Sequence, residues 1–240
     1  MEATLKRYGD SALLIEWPSE ISEVILAEII EVQRSMENQL SSVLIETVNA
    51  YNSLTVIYDQ EKIGFNDLEV KINTIIQSIK KGKSRHPHYV WEIPVCYDDH
   101  FGIDLYEIAL AKKMSKEEII SLHVDTTYLV HFIGFLPGFL YLGGLHPDLH
   151  FPRKSTPRLK ISKGAVAIGG QQTGIYPSES PGGWNIIGSS PVVLFNVYED
   201  PPCVIKPGDS VKFYSIDIKT YASLKKDAED GRIAIKKESV

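Results

Sequence analysis

Glycine and proline are concentrated in one stretch of this 240-residue chain, and that stretch limits what the chain can fold into. Residues 131–215 hold 12 of the 17 glycines and 10 of the 13 prolines. Both residue types disfavour helix interiors and mark turns instead. The apolar runs between them are short, at 128–135, 165–169, 191–198 and 210–214. Short strands bounded by turns predict a closed or sandwiched all-β domain.

The first third of the chain has a different pattern, in which β-rich runs alternate with helical ones. The β-rich runs are 11–16, 43–48, 54–58 and 90–95. Apolar residues at steps of three and four predict one helix after Ser19, with Ile21 on its apolar face, and another after residue 64. The order β-α-β-β-α-β predicts a ferredoxin-like split βαβ domain, with two helices on one face of an antiparallel sheet.

A basic and poorly periodic segment, Lys80 to His88, separates the two patterns and is typical of a linker. We therefore predict an α+β domain over residues 1–85 and a β-barrel domain over residues 86–240. The second domain begins with two short helical patterns, at 105–112 and 116–122, and its tail from Ile218 predicts a last helix.

Charge and composition exclude several classes of function. The formal net charge of −6 gives no overall attraction to nucleic acid or to anionic lipid. The two cysteines, Cys96 and Cys203, are too few for a disulfide framework. The longest apolar stretch, 129–145, is interrupted by His131 and Pro137 and falls short of the ~20 residues of a membrane span. Since the start of the chain lacks a secretory signal pattern, we expect a soluble cytoplasmic protein.

Three motifs with known chemistry fail on their spacing. Gly82-Lys83-Ser84 resembles the end of a phosphate-binding loop, but Gln77 stands where that loop needs its first glycine. His86-Pro-His88 has no third ligand nearby, so no metal site is predicted. The elbow motif Gly-x-Ser-x-Gly of serine hydrolases is absent from the sequence.

The remaining candidate site is a set of polar, aromatic and glycine residues between positions 131 and 188. We predict catalytic roles for His131 and Arg158, because histidine transfers protons near neutral pH and arginine clamps carboxylates or phosphates with two hydrogen bonds. Glutamine can recognise an amide, and glycine lets the backbone approach a ligand. The predicted substrate-binding residues are Gln171, Gln172, Gly182, Gly183 and Trp184.

Each of these residues also has a purely structural interpretation. His131 lies in an apolar run, where a buried histidine is often satisfied by a backbone carbonyl. Trp184 follows two glycines and is equally suited to filling the end of a barrel. Arg153 fits a solvated surface charge, whereas Arg158, in a rigid Pro-Arg turn, would need an anionic partner if covered.

The segment 132–141 is unusually aromatic and is the predicted partner-binding surface. Its candidate contact residues are Phe135, Pro137, Phe139 and Tyr141. An exposed apolar patch of this kind marks a protein interface. The alternative is that the same side chains fill the barrel.

Several motifs resemble those of the allophanate hydrolase subunit 1 family, and the likeness extends over nearly the whole chain. They include Ile133-Gly-Phe-Leu-Pro-Gly138, Pro152-Arg-x3-Thr-Pro-Arg158, Gln172-Thr-Gly-Ile-Tyr-Pro177, Ser180-Pro-Gly-Gly-Trp184 and Gly102-x-Asp-Leu105. The resemblance implies an N-terminal α+β domain and a C-terminal cyclophilin-like β-barrel. One departure stands out: the family usually has arginine at the position of Ser189.

The resemblance also implies functions and partners. It implies a subunit of an ATP-dependent 5-oxoprolinase, which opens 5-oxo-L-proline to L-glutamate with a subunit 2 protein and a third subunit, the ATP being handled by the complex. It further implies inhibition of the autophosphorylation of a sporulation sensor histidine kinase. The alternatives are a regulator of that kinase without a catalytic role and, from barrel resemblance alone, a peptidyl-prolyl isomerase.

Overall fold

The computed structural model describes residues 3–79, 88–229 and 235–239. The chain forms two compact units, Met1–His86 and Pro87–Val240. The predicted boundary near residue 85 and the predicted linker, apart from His88, fall in residues 80–87, which lie outside the described part of the chain, as do Gly82-Lys83-Ser84 and His86. None of the helices within the described ranges combines the length and the apolar character needed to cross a membrane.

The first unit is a four-stranded antiparallel sheet with two helices. The sheet order is β1-β2-β4-β3. The sheet buries alternate side chains of β2 and β4 against one stripe of each helix, as the period of two for strands and about 3.6 for helices requires. The elements are β1 (Thr4–Arg7), β2 (Ala12–Glu16), α1 (Glu23–Leu40), β3 (Leu44–Asn49), β4 (Ser53–Tyr58) and α2 (Phe65–Ile79).

The predicted split βαβ order is wrong at both ends of this unit. The strand Thr4–Arg7 was missed because a short edge strand of mostly polar residues has a weak alternating pattern. The run 90–95 does form a strand, but it pairs within the second unit, so it does not close a ferredoxin-like sheet. The first helix begins only at Glu23, and Ile21 lies exposed before it.

The described residues of the second unit form one large sheet, a two-stranded ribbon, three α-helices and a short 3-10 helix at Pro147–Leu149. The large sheet has the order β12-β9-β10-β7-β6-β13-β5-β14, and β8 pairs with β11. The elements are β5 (Tyr89–Val95), α3 (Leu105–Lys112), α4 (Lys116–Asp125), β6 (Thr127–Ile133), β7 (Leu140–Gly143), β8 (Arg158–Ile161), β9 (Ala165–Gly169), β10 (Gln172–Ile175), β11 (Ser180–Gly182), β12 (Asn185–Ser189), β13 (Ser210–Ser215), α5 (Ile218–Glu229) and β14 (Lys236–Ser239).

The large sheet curls until its two sides meet. Ser189 at the end of β12 pairs with Cys96, directly after β5, through two backbone hydrogen bonds of 2.8 and 2.9 Å. This pairing joins the edge strand to the far side of the sheet and makes a closed barrel. The α+β class is confirmed, while the cyclophilin-like assignment stays a prediction. The predicted strand at 191–198 is wrong, because that apolar run is irregular.

Strand β9 separates two cores, because its alternate side chains point to opposite faces. Val166 and Ile168 belong to the main barrel core. Ala165 and Ala167 belong to a smaller core that is rich in aromatic residues. The alanines leave room there for larger side chains, and this second face of β9 carries the candidate site.

Candidate functional site

Four aromatic side chains pack together on the alanine face of β9. We call Phe139, Tyr141, Tyr176 and Trp184 the aromatic cluster. Phe139 lies at its centre, with ring centroids 5.1 Å from Tyr141, 5.4 Å from Tyr176 and 5.5 Å from Trp184. All three pairs meet edge to face, the arrangement that aromatic quadrupoles favour. The cluster is therefore a tightly packed platform.

Two glycines form the seat of the Trp184 indole. A Cβ atom at Gly169 would lie 2.6 Å from three atoms of the indole ring, and one at Gly174 would lie 3.3 Å from it. The ring thus rests on the bare backbone of β9 and β10. Gly174 belongs to the motif Gln172–Pro177, and Gly169 ends the apolar run 165–169. The role of both glycines is to let the indole approach the sheet.

The loop 152–158 crosses this platform and is anchored at successive residues. The side-chain amide of the buried Asn185 donates to the carbonyl of Pro152 at 2.8 Å. The backbone N–H of Lys154 donates to the carbonyl of Gly183 at 2.7 Å. Arg153 lies between these two anchors, so its backbone position is fixed from both sides.

A buried carboxylate, that of Asp104, holds the same loop through its charges. Only 2% of Asp104 is exposed. The two terminal nitrogens of Arg158 donate to its oxygens at 2.9 and 2.6 Å, Lys154 Nζ lies 3.0 Å away, and the N–H of Ile186 donates at 2.7 Å. Burial alone would raise the pKa of Asp104, but these hydrogen bonds and charges outweigh it and lower the pKa.

Arg153 is placed differently from the other two cations of the loop. Its guanidinium carbon lies 5.6 Å from the centroid of the Trp184 ring, within cation–π range. Burial raises the pKa values of Tyr141 and Tyr176, and the charge of Arg153 offsets part of the rise at each. Both hydroxyls therefore stay protonated at neutral pH and can donate hydrogen bonds.

The structure brings part of the predicted site together. One predicted residue, Trp184, belongs to the aromatic cluster. Three others lie beside it: Gly182, Gly183 and Arg158. The guanidinium of Arg158 is already engaged by Asp104, the internal anionic partner that a covered arginine needs. Gly182 has a packing role, because a Cβ atom there would collide with the hydroxyl of Tyr176.

The two predicted glutamines lie at the turn between β9 and β10. Gln171 is exposed, and Gln172 pairs through its backbone with Gly169. The turn is fixed by Gly170, whose backbone exchanges hydrogen bonds of 3.0 and 2.7 Å with Phe151. That pairing places the glutamines beside the start of the loop 152–158. Amide recognition by either side chain stays a prediction.

The predicted partner-binding residues divide into exposed and covered ones. Phe135 is 64% exposed, at a left-handed φ of 66°, and Pro137 is also exposed. Phe139 is only 2% exposed, so its prediction as a partner contact is wrong: it fills the centre of the aromatic cluster. Tyr141 is partly buried beside it.

His131 lies in a β-bulge of β6. The pairing with β7 shifts between Val130 and Phe132, so His131 is the extra residue on its strand. Its imidazole is 3% exposed and lies against Gly143, where a Cβ atom would collide with Nε2. Bulges are frequent next to active sites because they redirect a side chain. The catalytic role predicted for His131 stays a proposal.

A second buried histidine, His123, was missed by sequence reasoning. Its Nε2 lies 2.8 Å from Thr173 Oγ1, and its Nδ1 lies 2.7 Å from the hydroxyl of Tyr97. Thr173 donates its only hydroxyl hydrogen to the carbonyl of Ala167, so it accepts from Nε2–H. Nδ1 therefore accepts from Tyr97. Burial lowers the pKa of His123 to about 3, so the ring is neutral in the fold.

The other missed residues are Asp104, Arg153, Asn185 and Tyr176. Three of them, Asp104, Arg153 and Tyr176, lie inside the family-like motifs. A motif does not show which of its residues is buried or which of its charged side chains lacks an ion-pair partner. No group of three or more His, Cys, Asp or Glu side chains within the described ranges is arranged to hold a metal ion.

The chain matches a family and curated proteins over most of its length. The family model described as "Carboxyltransferase domain, subdomain C and D" matches residues 3–205. A Bacillus subtilis (strain 168) protein that is named as a subunit of 5-oxoprolinase is 37% identical over 234 residues. That alignment covers 93% of this chain and 97% of the relative, whose name states that it is one part of a larger enzyme.

Two solved structures share the fold. The crystal structure of TTHA0988 superposes with a TM-score of 0.76 at 32% identity, over 86% of this chain and 40% of that chain, so our chain spans about two fifths of it. The K. lactis urea amidolyase structure superposes with a TM-score of 0.81 over 99% of this chain and 16% of that chain. At 19% sequence identity, this superposition shows only that the two proteins share a fold. This chain therefore belongs to the carboxyltransferase-domain family of subdomains C and D, the allophanate hydrolase subunit 1 family that its motifs predicted.

Proposed function

We propose that this chain is one subunit of a 5-oxoprolinase that uses ATP to open 5-oxo-L-proline to L-glutamate. The observation that carries the proposal is the similarity to the Bacillus subtilis 5-oxoprolinase subunit, which runs along nearly the full length of both chains. The candidate site supports it, because the site combines an aromatic platform, protonated tyrosine hydroxyls and an arginine. These groups suit a small, polar ring compound.

The chemical problem of this reaction is the poor reactivity of a lactam carbonyl. In the proposed reaction ATP phosphorylates the carbonyl oxygen and water attacks the activated carbon. The ring C–N bond then breaks as the nitrogen takes up a proton, and hydrolysis of the resulting acyl phosphate gives L-glutamate and phosphate. The proposal assigns these steps to the assembled complex. Within this chain, the aromatic cluster excludes water from one side of the substrate and orients its ring. His131 is the proposed proton carrier, and Asp104 and Arg158 hold the loop 152–158 in place.

Reconstitution tests the proposal directly. The chain is combined with a subunit 2 protein and a third 5-oxoprolinase subunit, and ADP release is measured with and without 5-oxo-L-proline. We expect substrate-dependent ADP and glutamate formation in equal amounts, and loss of glutamate formation when this chain is omitted. Full glutamate formation without this chain would refute the proposal.

The role of His131 has its own test in the same assay. The His131→Gln variant keeps a hydrogen-bonding side chain of similar length but loses the titrating ring. We expect kcat to fall roughly 100-fold, within the range for loss of a general acid or base, with the melting temperature little changed. An unchanged kcat would remove His131 from the proton-transfer step.

A second candidate function, inhibition of a sporulation sensor histidine kinase, is favoured by the exposed turn 134–138. Phe135 and Pro137 are both exposed there. The turn packs against Phe195, and the exposed Val197 and Tyr198 follow two residues later. Exposed aromatic side chains of this kind anchor protein interfaces. The prolyl isomerase alternative rests on fold resemblance alone and is not proposed.

The kinase proposal is tested with purified proteins. Autophosphorylation of a sensor histidine kinase is measured with this chain at equal concentration, and then with the Phe135→Ser variant. We expect inhibition by the wild-type chain and weaker inhibition by the variant, with Tyr8→Ser as a control exposed aromatic on the first unit. A kinase that is equally active with and without the wild-type chain contradicts the proposal.

A further inference from the structure

Among the three cations of the loop 152–158, one is left without a carboxylate. Lys154 lies 3.0 Å from Asp104 and 2.9 Å from Glu107, and Arg158 takes both oxygens of Asp104. Arg153 has no ion-pair partner within the described ranges. Lys154 and Arg158 are therefore neutralised by carboxylates of the same unit, and Arg153 is the cation of the loop that is not.

The backbone on both sides of that arginine is fixed, and its side chain is exposed. The carbonyl of Pro152 is bound by Asn185, and the N–H of Lys154 is bound to Gly183, so the residues on both sides of Arg153 are anchored. Its side chain lies over the indole of Trp184, which itself rests on Gly169. An arginine stacked on an aromatic face leaves the N–H groups at the rim of its plane available as donors. Little entropy is then lost when an anion binds.

The surroundings of Arg153 favour an anion attached to a small ring. Arg153 lies over the Trp184 ring at the margin of the aromatic cluster, and its charge acts on Tyr141 and Tyr176, so the groups beside it are ring systems and not carboxylates. The carboxylate that binds the rest of this loop, Asp104, is already engaged by Arg158, Lys154 and the N–H of Ile186. It therefore does not compete for the guanidinium.

We propose that Arg153, stacked on Trp184, binds the carboxylate of the substrate, and that the site takes small cyclic amides that carry a carboxylate next to the ring nitrogen. This inference rests on the proposed 5-oxoprolinase function. It assigns the substrate carboxylate to Arg153, whereas Arg158 positions the loop through Asp104.

Steady-state kinetics of the reconstituted complex test the assignment. Loss of charge-assisted hydrogen bonds to a carboxylate predicts that Arg153→Gln raises KM for 5-oxo-L-proline roughly 10- to 100-fold, with kcat within about threefold of wild type. Arg153→Lys keeps the charge without the planar fork and is expected to fall between the two. The exposed Lys163 provides the matched control, since Lys163→Gln removes one cation from the same unit. An unchanged KM, or a loss confined to kcat, overturns the assignment.

Direct binding separates a failed assignment from a failed function. Tryptophan fluorescence of the full chain is titrated with 5-oxo-L-proline and with 2-pyrrolidone, which lacks the carboxylate. We expect saturable binding of 5-oxo-L-proline that is at least about tenfold tighter than that of 2-pyrrolidone, with the difference lost in Arg153→Gln. If the complex is inactive but this difference is found, the carboxylate site stands and the enzymatic proposal fails. Equal binding of both compounds by wild type overturns the site.

Discussion

The carboxylate of Asp104 and the guanidinium of Arg158 form a two-point ion pair between the start of α3 and the start of β8. The same carboxylate also accepts from the N–H of Ile186 and binds Lys154. One buried group therefore joins a helix, a loop and two strands around the candidate site. Its stability contribution comes from keeping every partner satisfied, since a buried ion pair with one member removed is strongly unfavourable.

Replacing Asp104 with asparagine tests this relationship. The variant keeps the shape of the side chain but leaves two cations facing an uncharged amide. We expect the free energy of unfolding to fall by about 3 kcal/mol, measured by urea denaturation followed by circular dichroism.

The surface pair of Asp99 with Lys116 supplies the control for that substitution. Asp99 is highly exposed, so Asp99→Asn is expected to cost less than about 1 kcal/mol. If the two substitutions cost the same, Asp104 does not hold the loop in the way described.

This ion pair also shows how much of the candidate site could be predicted from the sequence. The motif around Asp104 and the Pro-Arg turn around Arg158 both stood out as patterns, and an anionic partner for Arg158 was expected if the side chain was covered. The partner lies 54 positions away in the chain. Long-range pairing of this kind depends on strand order, and periodicity along the chain carries no information about strand order.

The sequence predicts the helices and strands that have strong local patterns. It does not predict which strands pair with each other across the sheet. Helices α3 and α4 and strands β9 and β13 follow from periodicity and turn residues. The strand Tyr89–Val95 was recognised, but its partner was not, because it pairs in parallel with β13 more than 100 residues later. For Phe139 the sequence left two positions open, a partner surface and the barrel interior, because the choice depends on which face of β9 the side chain covers.

The buried His123 predicts a specific loss of stability at low pH. Its pKa is about 3 in the fold and 6.5 in the unfolded chain, so only the unfolded chain binds a proton between these values. The contribution of the neutral ring to the free energy of unfolding is fully present above pH 6.5. It decreases as the pH falls toward 3, by up to about 1.4 kcal/mol per pH unit.

The measurement compares the wild type with His123→Gln across this pH range. Glutamine can still accept from Tyr97 and donate to Thr173, but it does not titrate. We expect the wild-type unfolding free energy to fall more steeply than that of the variant. Parallel curves for the two proteins would mean that His123 is protonated in the fold.

The packing of Trp184 against Gly169 predicts that alanine substitutions at Gly169 and Gly183 differ clearly in their effect on stability. Gly169→Ala would place a methyl group 2.6 Å from the indole, which must then move away from β9. We expect a loss of about 1 to 3 kcal/mol and an altered tryptophan emission spectrum, because the site would be overpacked.

Gly183→Ala is the matched comparison, because its Cβ would lie at ordinary contact distance, 3.5 Å from the carbonyl oxygen of Lys154 and 3.7 Å from Pro157. Its φ also lies outside the left-handed region, so alanine is sterically acceptable. We expect a change of less than about 1 kcal/mol and an unchanged emission spectrum. Equal effects of the two substitutions would contradict the packing of the indole on β9.

The surroundings of Ser189 predict that arginine, which the family resemblance leads us to expect at this position, is not tolerated in this chain. Its backbone pairs with Cys96 where the barrel closes, and its hydroxyl lies 2.9 Å from that of Tyr221 on α5. The side chain is buried, so Ser189→Arg would bring a charge into a space that holds one hydrogen-bonded hydroxyl pair. We expect a loss of at least about 3 kcal/mol, because a large charged side chain would lose its hydration in this buried space.

The smaller variants at this contact show whether α5 depends on the hydroxyl pair. Ser189→Ala and Tyr221→Phe each remove one side of the bond, and each is expected to cost roughly 1 kcal/mol. The double variant is then expected to cost less than the sum of the two, because the same interaction is removed twice. Urea denaturation of all four proteins measures the coupling. A strictly additive double variant would mean that the two hydroxyls do not stabilise each other.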